Sequence, residues 1–286
     1  MARRRLQQVP WKTAGRTSEV QPSADDVVRR VGWVFNNETG SELTAAEFVA
    51  TGDEEVGSYL HLFGLDADPD ALRRATLVEI GSGIGRMTAA FTRRFAAVVA
   101  CDLDAAFLER CRQTVAEFGE VARLRTSHVD DGRSLRLGDV SADVTFSYIT
   151  LQHCAPEDAL ALVGEAVRVT RPGGTVALNL RRWTWRDLVL VPAGAAVRAS
   201  WRLPRLGPRL AGRRWASRLG WQANRLAPDE VLAALATAGH RLDDVEIIVA
   251  SRNSAPSVPG ARVRTFEGLH PSHWWLVGRR ASDDGQ

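Results

Sequence analysis

The chain has 286 residues, 45% of them hydrophobic and 25% charged, a composition that suits a folded protein with a substantial core and excludes a disordered or fibrous chain. Cys101, Cys111 and Cys154 are too few and too scattered for a disulfide framework or a structural zinc site, so a reducing, cytoplasmic compartment is expected. The net charge of +3 hides an asymmetry: residues 181–226 hold eleven arginines against one acid, Asp187, so this segment carries +10 and the remainder −7.

In chain order, Met1 to Gln8 brings arginines with no apolar stretch behind them and reads as a frayed tail. Ser41 to Phe63 suggests two short helices, and Asp66 to Asp70 a turn-rich boundary, giving an extension over 1–70 and a main domain over 71–286. From Ala75 onward strand-like and helix-like segments alternate. Ala75–Ile80 is a buried strand ending in glycines, and Met87–Phe95 has helical spacing. Ala97–Cys101 is a second strand, followed by a helix through Ala105, Leu108, Cys111 and Val115. Val121–His128 is a more polar third strand, Asp143–Tyr148 a fourth, Pro156–Val169 a helix and Thr175–Leu180 a fifth strand. Arg171-Pro172-Gly173-Gly174 punctuates the passage into that fifth strand.

After the arginine-rich insertion, a helix begins at Ala227-Pro228-Asp229-Glu230 and runs to Gly239. Leu242–Ala250 and His273–Arg279 complete seven strands, with Ser251–Arg262 between them as an exposed loop. Strands separated by helices imply right-handed crossovers, hence a doubly wound, mostly parallel α/β sheet with helices on both faces. The longest apolar run, Leu188 to Val197, is interrupted by Pro192 and Gly194 and falls short of the roughly 20 residues that a membrane-spanning helix needs.

The most informative stretch is Glu79-Ile80-Gly81-Ser82-Gly83-Ile84-Gly85-Arg86, where a strand runs through alternate glycines into a helix. In an open parallel sheet, ligands bind beyond the carboxyl ends of the strands, and this turn falls there. A dinucleotide fingerprint would place glycine where Arg86 stands, and no phosphate-binding loop with lysine is present, so neither a dinucleotide nor a nucleoside triphosphate is indicated. Asp102, beside Leu103 at the end of the second strand, is placed to accept hydrogen bonds from ribose hydroxyls, and Asp104 to cap the next helix. Asp130-Asp131-Gly132 follows the third strand, where a carboxylate can accept from an adenine amino group; Asp131 is the preferred one.

In order and spacing these residues resemble the class I S-adenosylmethionine-dependent methyltransferases, whose fold is Rossmann-like. Glu79, Gly81, Gly83 and Gly85 match that family's first motif, with Glu79 at the acid that receives the methionine amino group, and Ser82 stands where cysteine is frequent. Asp102 matches the ribose-binding acid, and Asp131 with Gly132 the adenine-side motif. Leu151-Gln152-His153 and Arg168 to Gly174 are also similar to it. The resemblance implies S-adenosylmethionine held by Glu79, Gly81, Ser82, Gly83, Gly85, Arg86, Asp102, Leu103, Asp131, Gly132 and Ser147. It covers Ala75 to Leu180, extends loosely over Ala227 to Arg279, and is silent on the methyl acceptor.

Methyl transfer from a sulfonium is an in-line displacement that needs alignment and exclusion of water, and a general base only for a protonated acceptor. His153, just past the fourth strand, is the candidate base; His61, His270 and His273 have weaker placement. No histidine–acid cluster has metal-ligand spacing, so no metal is expected. Ser147-Tyr148-Ile149-Thr150 differs from the acid-Pro-Pro-aromatic run of base-amine methylation, and Cys154 lacks a preceding proline, so nucleic acid is disfavoured.

The insertion holds Trp183, Trp185, Trp201, Trp215 and Trp221, too long a segment for a plain connection. It reads as a helical lid after the fifth strand whose aromatic walls, Trp183 and Trp185 with Tyr148, His270 and His273, receive a small, bulky or partly apolar acceptor. A hydroxyl is favoured. The alternatives are an amine acceptor, a lipid or sugar acceptor reached through a peripheral membrane contact, and a module that binds the nucleoside without transfer.

Overall fold

Thr76–Ile80, the strand β1, is buried on both faces because it lies within a sheet covered on both sides, and Glu79 is its one charged residue. A computed structural model of the chain describes residues 43–282 apart from 202, 212, 222–223 and 252–256, so the expected tail at Met1–Gln8 lies outside the described residues. Ahead of β1 come the helix α1 (Ala45–Leu62) and a single helical turn, α2 (Pro69–Leu72); after it come α3 (Thr88–Arg94), β2 (Ala97–Asp102), α4 (Ala105–Phe118), β3 (Leu124–His128) and β4 (Ala142–Ser147). Then follow α5 (Pro156–Val169), β5 (Thr170–Arg181), the insertion helices α6 (Asp187–Ser200), α7 (Gly207–Ala211) and α8 (Arg214–Trp221), α9 (Pro228–Thr237), and β6 (Leu242–Ala250), β7 (Arg262–Phe266) and β8 (His273–Arg280).

The sheet order is β3-β2-β1-β4-β5-β8-β6-β7, with the first five strands parallel and β8 antiparallel to both β5 and β6. From β1 the chain winds outward to β2 and β3, then returns to lay down β4 on the other side. The strand direction of winding therefore reverses between β1 and β4, which opens a crevice at their carboxyl ends. The alternation of side chains along each strand supplies both faces of the core. On β1, Val78 and Ile80 join one apolar cluster and Leu77 the other; on β8, Trp274 and Leu276 face the first while Trp275 and Val277 face the second.

Two expectations are corrected. The sheet has eight strands rather than seven, because Arg262–Phe266 pairs in parallel with β6. Its composition concealed it: Arg262 and Arg264 both pair with Glu246 of the neighbouring strand, so an edge strand reads as polar chain. Where two short helices are expected between Ser41 and Phe63, the described part forms one helix of 18 residues, Ala45–Leu62, started by a reciprocal cap between Thr44 and Glu47. Gly52 does not break it. A Cβ there would lie 2.3 Å from the carbonyl oxygen of Arg86, so this glycine lets α1 approach the start of α3. Val56, Tyr59 and Leu60 of α1 share one cluster with Leu77, Phe91 and Phe146.

The insertion is helical, as expected, and has its own small cluster of Val197, Trp201 and Ala216. Gly194 and Gly220 allow α6 and α8 to meet: a Cβ would fall 2.6 Å from the Leu219 carbonyl oxygen at the first and 2.5 Å from the Trp201 ring at the second. Its two ends return to the sheet's carboxyl side, where the Leu226 N–H donates to the Arg181 carbonyl at 2.8 Å and the Asn224 N–H to the Gln152 carbonyl at 3.1 Å. Among the described residues no helix is long and apolar enough to cross a membrane.

Candidate functional site

The turn after β1 is held open by its neighbour strand. The N–H groups of Gly81 and Ser82 both donate to the Cys101 carbonyl, at 2.7 and 3.1 Å. Gly81, Gly83 and Gly85 have φ of +83°, +55° and +92°, a left-handed conformation that side-chain-bearing residues rarely adopt. At Gly81 the fit is closer still, since a Cβ would lie 2.1 Å from the Thr150 hydroxyl. Asp102 fastens the second half of the turn: one carboxylate oxygen accepts from the Gly83 N–H at 2.8 Å and the other from the Asp104 N–H at 2.8 Å. Burial pushes its pKa up to about 6, against the lowering by those backbone donors. Asp104 caps α4 by accepting from the Ala106 N–H, as its position predicts.

Glu79 lies beneath the turn, 4% exposed, and accepts from the Thr88 hydroxyl at 2.6 Å. Burial raises its pKa to about 7; the Thr88 hydrogen bond and the Arg86 charge oppose the rise and Asp102 adds to it. No cation lies within salt-bridge distance of it among the described residues. A fully enclosed carboxylate in this state is a strong receptor for an ammonium.

Arg86 is directed elsewhere. Its guanidinium, buried, binds Glu55 of α1 at 2.6 Å and the Thr51 hydroxyl at 3.3 Å, so it clamps the extension rather than facing the crevice. Ser147 donates its hydroxyl to the Ile80 carbonyl at 2.9 Å and joins β4 to β1. The Leu103 carbonyl lies 3.0 Å from His128 Nε2. Asp131 accepts from the N–H groups of Arg133 and Ser134, both at 2.8 Å, and closes a loop in which Gly132 has φ +70°. Burial alone would raise the Asp131 pKa, but those hydrogen bonds and the Arg136 charge hold it lowered. Ser82 is buried.

Beyond β4 the backbone is strained, with Ile149 at φ +51°, a costly conformation for a β-branched residue that often marks a functional bend. The bend delivers Thr150 against Gly81 and turns Leu151–His153 into a single 3₁₀ turn. His153 is buried there, its Nε2 3.3 Å from the Gln152 amide nitrogen. His273, at the start of β8, faces Arg181 across the β5–β8 ladder, and its ring centroid is 5.4 Å from that of His270. Burial pushes the His273 pKa down to about 3, with His270, Arg181 and His153 lowering it further. The three candidate histidines at 153, 270 and 273 are thus electrostatic neighbours. His61 is far out in solvent, beside Asp66 at 3.0 Å.

Tyr148 stacks on Trp275 with ring centroids 5.7 Å apart, and Tyr59 of α1 reaches both rings, at 4.9 and 4.8 Å. Tyr59, buried in the core, is a support for Tyr148 that sequence reasoning missed. Also missed is the buried ionic knot at the root of the insertion: Asp187 accepts from Arg181 at 3.2 Å, from Arg225 at 2.8 Å, and from the Thr184 N–H and hydroxyl at 2.8 Å. Its signal was present, as the one acid among eleven arginines. Trp183 and Trp185, expected in the walls of the acceptor pocket, are 56% and 78% exposed, ahead of a helix that buries Gly194 and Val197.

Residues 78–178 match the family model described as a methyltransferase domain. The biotin biosynthesis bifunctional protein BioHC of Cellvibrio japonicus is 32% identical over 140 residues, 49% of this chain and 26% of that protein. A carboxy-S-adenosyl-L-methionine synthase of Pseudomonas fluorescens is 33% identical over 121 residues, 41% of this chain and 49% of that one. The chain therefore spans between a quarter and half of the length of these curated relatives. In structure it is similar to the magnesium protoporphyrin IX methyltransferase of Synechocystis, solved with bound S-adenosylhomocysteine, at a TM-score of 0.53 and 15% identity over 90% of this chain and 98% of that one, a likeness of fold.

Proposed function

We propose, from a chain whose residues 78–178 form a methyltransferase domain of the class I S-adenosylmethionine-dependent type, that it transfers the donor's methyl group to a hydroxyl of a small, partly apolar molecule. The observation that carries the reading is the pairing of a fully enclosed Glu79 with an Asp102 fastened to the Gly83 N–H, two carboxylates at adjacent strand ends around one glycine turn. These residues fit the donor. Glu79 supplies the charge partner that an amino group needs, Asp102 retains acceptor capacity for ribose hydroxyls, and Asp131 with Gly132 borders the adenine side. The turn itself presents backbone against which the ligand lies. When bound, the donor supplies an electrophilic methyl on a positively charged sulfur.

This chain's own residues then align the acceptor and exclude water. Tyr148, partly exposed and packed on the buried Tyr59 and Trp275, offers an aromatic face beside the β4 bend. His153 takes the proton from the acceptor hydroxyl. His273 is unsuited to that role, since a pKa near 3 keeps its ring neutral and too weak a base; it is suited to hold the acceptor by a hydrogen bond. In this reading residues 71–286 are the transferring unit, with 181–226 inserted, and 1–70 an extension whose helix α1 packs against it.

The test is calorimetry with S-adenosylmethionine and S-adenosylhomocysteine, followed by transfer of a labelled methyl group into a small-molecule extract. The expected result is binding of both and an extractable labelled product, with His153→Ala slowing transfer by roughly 10² to 10⁴ at unchanged donor affinity. Binding without any labelled product would support a nucleoside-binding module instead.

A further inference from the structure

We infer that the insertion is a docking surface for an anionic lipid bilayer, made by the outward face of α6 and the two tryptophans before it. The inference does not rest on the transfer reading.

The face is apolar without interruption. Leu188 and Val189 are 75% and 70% exposed, and Pro192, Ala195, Ala196 and Ala199 continue the same exposed stripe at helical spacing along α6. Gly194 and Val197, on the opposite side, are buried toward α8. Trp183 and Trp185 extend the stripe past the start of the helix, and the guanidinium of Arg186 lies 5.5 Å from the centroid of the Trp185 ring. A run of exposed large apolar side chains on one helix face is rare on a surface that meets only water.

Charge selects the occupant. The segment that carries the stripe has a net charge of +10, and Arg186, Arg205, Arg209 and Arg213 are exposed within it. A second copy placed on this face would bring another +10 against the first, whereas anionic headgroups would neutralise both the arginines and the cost of approach. Exposed tryptophan, short apolar insertion and flanking arginine together are the requirements of an interfacial helix, which lies in the headgroup boundary and does not span. At 14 residues α6 is too short to cross a bilayer.

The experiment is vesicle flotation of the full chain with phosphatidylcholine alone and with phosphatidylcholine plus phosphatidylglycerol, at low and high salt. The expected result is capture by the anionic vesicles only, diminished by salt. Leu188→Glu with Val189→Glu should weaken capture by roughly tenfold or more while donor affinity, read by calorimetry, stays as in the parent chain. Absence of capture by anionic vesicles, or capture unchanged in the double variant, overturns the inference. So does a concentration-dependent dimer in sedimentation that the double variant abolishes, which would assign the stripe to a second copy.

Discussion

The parallel half of the sheet and the arginine-rich insertion solve the problem of buried charge in opposite ways. Around β1 and β2 the enclosed groups are acids, Glu79 and Asp102, satisfied by hydroxyl and backbone N–H donors and lacking a cation within salt-bridge distance among the described residues. At the root of the insertion the enclosed groups are two arginines, Arg181 and Arg225, gathered on one acid, Asp187. In the proposed reading the first arrangement takes its cation from the ligand. The second is internally closed and serves to fix where the insertion leaves and rejoins the sheet. The apolar side chains differ in the same way: buried on both faces of the sheet, and turned outward along α6.

The contrast breaks most easily at Asp187. Asp187→Ala strands two buried guanidinium groups and is expected to cost about 3 to 5 kcal/mol of stability, read as a large fall in thermal midpoint. Leucine truncation comes next. Leu178→Ala, in the wholly buried centre of β5, should cost about 2 to 5 kcal/mol in denaturant unfolding.

The acids predict a pH dependence. The unfolded chain releases the Glu79 proton near 4.5, while the folded chain keeps it until about 7, so the contribution of Glu79 to stability without ligand is full at low pH and is lost as pH rises through that window, by about 3 kcal/mol, as the difference between the parent chain and Glu79→Gln reads it. An ammonium-bearing donor should restore it, so the donor-induced rise in melting temperature grows between those pH values. A flat response would remove Glu79 from the site. Asp102→Ala is expected to weaken donor binding by about 1 to 3 kcal/mol in calorimetry, and an unchanged dissociation constant would remove Asp102. Smallest of all, Leu188→Ala on the exposed stripe should change solution stability by no more than about 0.5 kcal/mol, in contrast to the same truncation at Leu178.

How much of this is written locally in the chain depends on what each residue touches. β1, β2, β4 and β5 are legible because burial on both faces demands continuous apolar runs, and the glycine turn because alternate glycines after such a run have few other uses. β7 is not, since its arginines answer to Glu246 on another strand. That α1 is one helix is not legible locally, since the place of Gly52 within it is set by the Arg86 backbone 34 positions later. Thr150 meets Gly81, and Tyr59 meets Tyr148, across separations that no local pattern records. The exposure of Trp183 and Trp185 is not written locally either, since it depends on which face of α6 packs on α8.

Arg86 deserves one last consequence. It sits directly after the glycine turn, yet its guanidinium is bound from α1, by Glu55 and the Thr51 hydroxyl. A fragment trimmed to begin at residue 71, where motif boundaries alone would place the cut, would strip Glu55 and Thr51 from a buried cation beside the glycine turn and uncover the Arg86 backbone that Gly52 meets. The helix ahead of the sheet is thus a brace behind that turn, and any shortened version of this protein should keep it.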